Sequence, residues 1–373
     1  MKNFYYLLVI FLYLILFPDS SKSGFSHVPC EILKNTISFL DQKSWIALSE
    51  VDKKFNEITY KSIKDLKIKG SSSADIIKKL SIFLSKDKIS IQKNTEIELL
   101  DVSDSKKIDK SLKDLVEFIQ EYFPKINFLN LLNSRMGVDG AFYLQQLTHL
   151  EGMDLGWNDL HAEGAAHLAG LTQLKELDLF YNDLREEGAA HLAGLTQLKK
   201  LNLCGNNIGS RGAAHLAGLT QLKELNLCGN NIGDSGVVYL AGLAQLEHLW
   251  LGGNSIGDAG VVHLSGLTQL ELLDLDENNI GSRGAAYLLG LTQLKILNLY
   301  ENNIGSVGVI YLMGLTQLEK LNLFRNNLRS EDVIHLRGLT QLKSLCLSGN
   351  KIRQAWIDSL REVLVGCEII CDF

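Results

Sequence analysis

Proline is nearly missing from this chain. Only Pro18, Pro29 and Pro124 occur in 373 residues, which argues against long disordered linkers. Cysteine is sparse and scattered (Cys30, Cys204, Cys228, Cys346, Cys367, Cys371), with no framework spacing, so disulfides do not hold the fold. The net charge is only −6 and no basic block occurs, which gives nucleic-acid binding by a charged patch no support. The motifs of catalysis are missing too: no glycine-rich phosphate loop, no HExxH and no nucleophile elbow. No enzyme, cofactor or metal site is therefore expected.

What is present is repetition. Leu171–Gly194 reads LTQLKELDLFYNDLREEGAAHLAG, and Leu195 starts the same phrase again as LTQLKKLNLCGNNIGSRGAAHLAG. The period is 24 residues and runs over about 123–356. Leu171, Leu174, Leu177 and Leu179 point to one interior, and the alternation of Leu177 and Leu179 with Asp178 predicts a short strand with one buried face. Asn182 follows in a slot filled again by Asn158, Asn206, Asn230, Asn254, Asn278, Asn302, Asn326 and Asn350. An amide donates and accepts at once, so these residues are expected to satisfy a buried turn as a ladder. Gly188–Gly194 then reads as a helix with a C-terminal glycine. One such unit cannot bury its leucines alone, but a stack can. The expected fold is α/β: a leucine-rich-repeat solenoid, a ribonuclease-inhibitor-like horseshoe of about ten strand–turn–helix units.

The rest of the chain divides around the repeats. Residues 1–23 combine Lys2, an uncharged apolar run Phe4–Phe17 and a small polar stretch, the layout of a signal peptide or a membrane anchor. Residues 24–60 place apolar side chains at helical spacing and predict a small all-α domain. Residues 61–122 lack the period and read as a connector or N-terminal cap, with a strand near 97–102 and helices near 74–83 and 108–123. Residues 357–373 close the stack.

Two resemblances sharpen this outline. Pro29, Glu31, Ile32, Leu33, Ile37, Phe39, Leu40, Leu48, Val51 and Phe55 resemble the F-box pattern, with Val28 in place of the usual leucine and Phe55 where tryptophan is commoner. The phrase Gly-Ala-Ala-His-Leu-Ala-Gly-Leu, behind such a segment, is similar to the GALA family of bacterial effectors. It is clear at Gly164–Leu168, Gly188–Leu192, Gly212–Leu216 and Gly284–Leu288; it drifts at Gly236, Gly260 and Gly308, and Asp332 replaces the glycine. The resemblance implies that Pro29, Glu31, Ile32, Leu33, Phe39, Leu40, Leu48, Val51 and Phe55 dock a Skp-type adaptor of a host cullin ubiquitin ligase. The repeats would then hold a target protein. It further implies export from a bacterium and action in the host cell, although an apparent signal peptide is not part of that family's pattern. The alternative is a secreted or surface-tethered repeat protein that binds a ligand. A membrane is a partner only if the N-terminal apolar segment is retained.

Function is expected where the repeats differ. The two slots before the ladder asparagine change from unit to unit, and strand alternation points them outward on a concave sheet. Aromatics and arginine dominate binding hot spots. The expected target surface is Trp157, Phe180, Tyr181, Trp250, Tyr300, Phe324 and Arg325, with Asp274, Asp276 and Glu277 as an acidic island. His167, His191, His215, His263 and His335 share a helical slot with several tyrosines and are read as half-exposed surface residues, not metal ligands. Cys204 and Cys228 fill equivalent slots of adjacent units and are read as free thiols.

Overall fold

The computed structural model describes residues 65–67, 75–76, 98–103 and 112–372. The expected signal segment and the F-box-like stretch lie outside the described residues. Among the described residues, thirteen short strands form one parallel sheet whose spatial order is the chain order, from β1 (Asp65–Lys67) and β2 (Leu99–Asp101) to β13 (Glu368–Ile370). The register follows the repeat: Met153 of β4 (Gly152–Asp154) faces Leu177 of β5 (Glu176–Asp178), which faces Leu201 of β6 (Lys200–Asn202). A slip of one residue would turn Leu177 to solvent and Asp178 inward, so burial fixes this register. The first two steps, Asp65 to Leu99 and Leu99 to Phe128, depart from the period, so the sheet begins before the repeats become regular.

Each unit folds as its apolar spacing dictates. Leu171, Leu174, Leu177, Leu179, Leu184, Ala189 and Leu192 are all buried. The chain leaves β5, turns at Asn182 and returns through the helix Arg185–Leu192. The ladder asparagine joins adjacent units. Nδ2 of Asn182 donates to Leu179 O in its own unit (3.0 Å) and to Leu155 O in the one before (2.9 Å). Its Oδ1 accepts from Asn158 N (3.1 Å) and Leu160 N (3.2 Å). The ladder is thus the buried turn's hydrogen-bond supply, as the sequence predicts.

Helix packing explains the repeated glycine. A Cβ on Gly188 would lie 2.7 Å from Leu184 Cβ, so only glycine fits against the turn. Where Asp332 takes that slot, the backbone changes to a 3₁₀ helix, Ser330–Gly338. Asp332 is buried there and its Oδ2 accepts from Arg329 N and Ser306 Oγ, both at 2.7 Å.

One expectation is corrected. Gly194 does not adopt the left-handed conformation of a helix-terminating glycine. The left-handed residues instead flank the ladder: Tyr181, Asp183 and Arg185 in one unit, Gly205, Asn207 and Gly209 in the next. At the ends of the stack, the helix Leu112–Tyr122 buries Leu112, Leu115, Val116 and Ile119, and the helix Gln354–Arg361 buries Ile357 and Leu360.

Candidate binding face

The outward face of the sheet has three columns, not the two read from the sequence. The slots of Glu176 and Asp178 lie on the strands, and that of Phe180 lies two residues beyond. Tyr181 belongs to the turn. Alternation would send it inward, but its φ of 51° swings the side chain out. The same left-handed conformation holds at Asn133, Trp157, Glu277, Glu301 and Arg325, and at Gly205, Gly229, Gly253 and Gly349 in the equivalent slot.

The expected residues gather into two clusters and an acidic pair. Trp157 and Tyr181 stack at 4.8 Å, and Phe180 packs edge-on against both, at 6.5 Å and 6.0 Å. Trp157 keeps 53% of its surface exposed and Tyr181 49%, a large apolar area to leave in water. At the other end, Tyr300 and Phe324 stack at 4.8 Å with their planes 13° apart. Arg325 lies over Phe324, 5.1 Å from its centroid, and pairs with Glu301; Glu301 also accepts from Tyr300 Oη at 3.0 Å. Trp250 belongs to neither cluster. It sits on β8 (His248–Trp250) against His248, whose ring is 5.8 Å away.

Glycine marks these clusters from the neighbouring units. A Cβ at Gly156 would collide with the Phe180 ring, one at Gly205 with Tyr181, and one at Gly349 with Arg325. Gly252 likewise leaves the space that the Asp276 carboxylate fills. The large side chains thus lean over glycines one unit away. That pairing was present in the sequence and went unread.

The Asp178 slot carries structure as well as charge. Oδ1 of Asp178 accepts from Phe180 N at 3.1 Å, and Asn202 does the same for Cys204 N. Burial pushes the carboxyl of Asp154 up to about 6, and the nearby charges of Asp178 and Asp101 add to it. Burial also raises Asp178, against the hydrogen bonds from Phe180 N and from Asn202 Nδ2 at 2.9 Å. In the second acidic group, burial and then the charge of Asp274 push Asp276 up to about 6, while burial raises Asp274; Glu277 is exposed beside them. Asp154 and Asp178 were not singled out in the sequence, because aspartate and asparagine alternate in that slot as if either merely closed the turn.

Cys204 and Cys228 are free thiols that touch across adjacent units. Their hydrogen bond lowers Cys204 to about 7 and raises Cys228. The histidine slot lies on the helical side, with His191 and His215 exposed. Among the described residues no group of three or more metal-binding side chains converges. Nor is any described helix long and apolar enough to cross a membrane.

A family model described as "Leucine rich repeat" matches residues 196–256, 220–280, 268–328 and 292–352, and a second of the same description matches 146–169 and 170–193. Together they span more than half of the chain with the turns and strands described above. The chain is a leucine-rich-repeat protein. Among solved structures, this leucine-rich-repeat protein is similar to an internalin, inlF, from Listeria monocytogenes, at 25% identity over 85% of this chain and 88% of that one, with a TM-score of 0.61. It also resembles TLR13, solved in a complex with ssRNA13, at 24% identity over 74% of this chain and 41% of that one (TM-score 0.52), which shows the shared fold alone. No curated protein matches the sequence. The repeat scaffold, with its broad outward sheet, is a protein-binding architecture.

Proposed function

We propose that the protein is a non-catalytic binding scaffold whose concave sheet captures a target protein through Trp157, Phe180 and Tyr181 at one end and Tyr300, Phe324 and Arg325 at the other. Trp250, Asp274, Asp276 and Glu277 lie between and complete the surface. One observation carries this reading: bulky rings stand half-exposed in a slot where four other units use glycine. A left-handed non-glycine residue costs about 1–2 kcal/mol, so the fold gains nothing from placing rings there.

The test is quantitative capture from eukaryotic cell extract, followed by affinity measurement with the purified partner. A genuine target binds the full chain and is lost from a Trp157→Gly, Tyr181→Gly, Phe324→Ala variant. It is retained by a Tyr287→Ala, Tyr311→Ala variant on the helical side. Equal loss from both would place binding elsewhere.

A finer reading adds recruitment. The F-box-like residues Pro29 to Phe55 would dock a Skp-type adaptor, so that a host ubiquitin ligase acts on the captured target by proximity. Its support is the sequence pattern alone. Binding of the full chain to a purified Skp adaptor, abolished by Pro29→Ala with Leu40→Ala, is the expected result. Absence of binding by folded protein leaves the secreted or surface-tethered ligand-binding scaffold.

A further inference from the structure

The two aromatic clusters differ in one respect. At Tyr300 and Phe324 the ring stack is covered by a cation from the chain itself, Arg325, which is held in turn by the Glu301 carboxylate. At Trp157 and Tyr181 the ring centroids are as close, 4.8 Å, with the planes tilted by 32°, but no cation lies over them among the described residues. The carboxylates are nevertheless there. Asp154 and Asp178 occupy adjacent strands, β4 and β5, one column in from the slot of Phe180, which packs against both rings. At about 3.3 Å per residue, Asp178 and Phe180 are about 7 Å apart along the strand, within the reach of one long cationic side chain.

Neither carboxylate has a cationic partner among the described residues. Two basic groups of this region pair elsewhere: Lys200 with Glu224 (3.3 Å) and Glu176 (3.9 Å), and Arg185 with Asp183 (2.8 Å). Burial of Asp154, with the charges of Asp178 and Asp101 adding to it, pushes its carboxyl up to about 6. Rings without a cation beside carboxylates without a cation are complementary to one kind of guest.

We propose that the Trp157–Tyr181 end of the concave face receives a cationic side chain, an arginine carried by an extended segment of the target protein. Its guanidinium donates hydrogen bonds to the Asp154 and Asp178 carboxylates, and its stem packs across Phe180 onto the Trp157 and Tyr181 rings. This arrangement reproduces with a guest what Arg325 does internally. The inference rests on the reading of this face as a protein-binding surface and names the chemistry of the partner.

The test titrates the full chain with a short unstructured arginine–glycine–serine peptide and with its citrulline counterpart, which keeps the shape and loses the charge. Heat of binding and tryptophan fluorescence are followed at low and moderate salt. The arginine peptide is expected to bind at least about tenfold more tightly than the citrulline one. Asp154→Asn with Asp178→Asn, which keeps the turn acceptors that asparagine supplies in other units, is expected to weaken it by about tenfold or more. Trp157→Gly with Tyr181→Gly should do the same, while Tyr311→Ala, on the helical side, should leave it unchanged.

Arginine and citrulline peptides binding within about twofold of each other overturn the inference. If both are then lost in the glycine variant, the face remains a docking surface for an uncharged segment and the reading above survives. No binding of the arginine peptide by folded protein also overturns the inference. The fate of the broader reading is then decided separately by target capture.

Discussion

Trp157 and Tyr181 occupy a left-handed backbone position that four other units fill with glycine. Gly205, Gly229, Gly253 and Gly349 take the same left-handed turn without a Cβ penalty. Replacing either ring by glycine should therefore raise stability in urea melts by up to about 1 kcal/mol, while target affinity falls. A loss of stability beyond about 1 kcal/mol would instead show that ring stacking repays the strain. Asp154 offers a second test at this scale. Its carboxyl is raised to about 6 by burial, above the roughly 3.9 of an unfolded aspartate. Between those values the folded chain holds a proton that the unfolded chain has released. Stability therefore falls as pH rises through about 4 to 6, and the penalty is fully present above that window. Asp154→Asn removes the titration yet keeps the acceptor for Gly156 N, now made at 3.1 Å. Thermal melts of this variant should show a flatter pH profile over that range and a higher midpoint at neutral pH than the parent.

Within one unit, the ladder asparagine is the costliest side chain to remove. Asn206→Ala would strip Leu179 O and Leu203 O of a donor, and Asn182 N and Leu184 N of an acceptor, in a place without water access. Unpaired buried groups cost about 1–3 kcal/mol each, so a loss of at least about 3 kcal/mol in denaturant unfolding is expected. Gln197→Ala, on an exposed loop of the same unit, should change stability by less than about 0.5 kcal/mol. The period made this role legible, because an amide fixed every 24 residues beside alternating leucines has one physical use. Gly194 follows the helix end as read, but without the positive φ that a terminating glycine usually adopts. The outward direction of Tyr181 was read correctly for the wrong reason. Alternation governs strand residues, whereas a turn residue points where its φ sends it. Asp332 looked like a lapse in the repeat, and only the structure shows that its carboxylate caps the 3₁₀ turn that replaces the helix.

Across the whole molecule, what repeats was legible and what does not was only partly so. Leu66 and Leu100 fall outside the period, and only Ile97–Val102 read as a strand, yet both segments join the same sheet. The helical side exposes Tyr239, Tyr287 and Tyr311, in the slot read from the sequence as half-exposed, and Leu289 and Ile310 widen that stripe. The two concave clusters were found as a list of residues, and their separation is a property of the stack. Five strand-to-strand spacings separate Phe180 from Tyr300, which at about 4.8 Å each is about 24 Å. Side chains that far apart on a rigid sheet share no contact. A target long enough to touch both should feel them as independent losses. Affinity measured for Trp157→Gly with Tyr181→Gly, for Tyr300→Ala with Phe324→Ala, and for all four together should give free-energy changes that add within about 0.5 kcal/mol. A strong coupling would mean that the target or the solenoid bends to join the ends. A silent Tyr300–Phe324 pair would mean that Arg325 and Glu301 have closed that cluster to any guest, leaving the Trp157–Tyr181 end to bind alone.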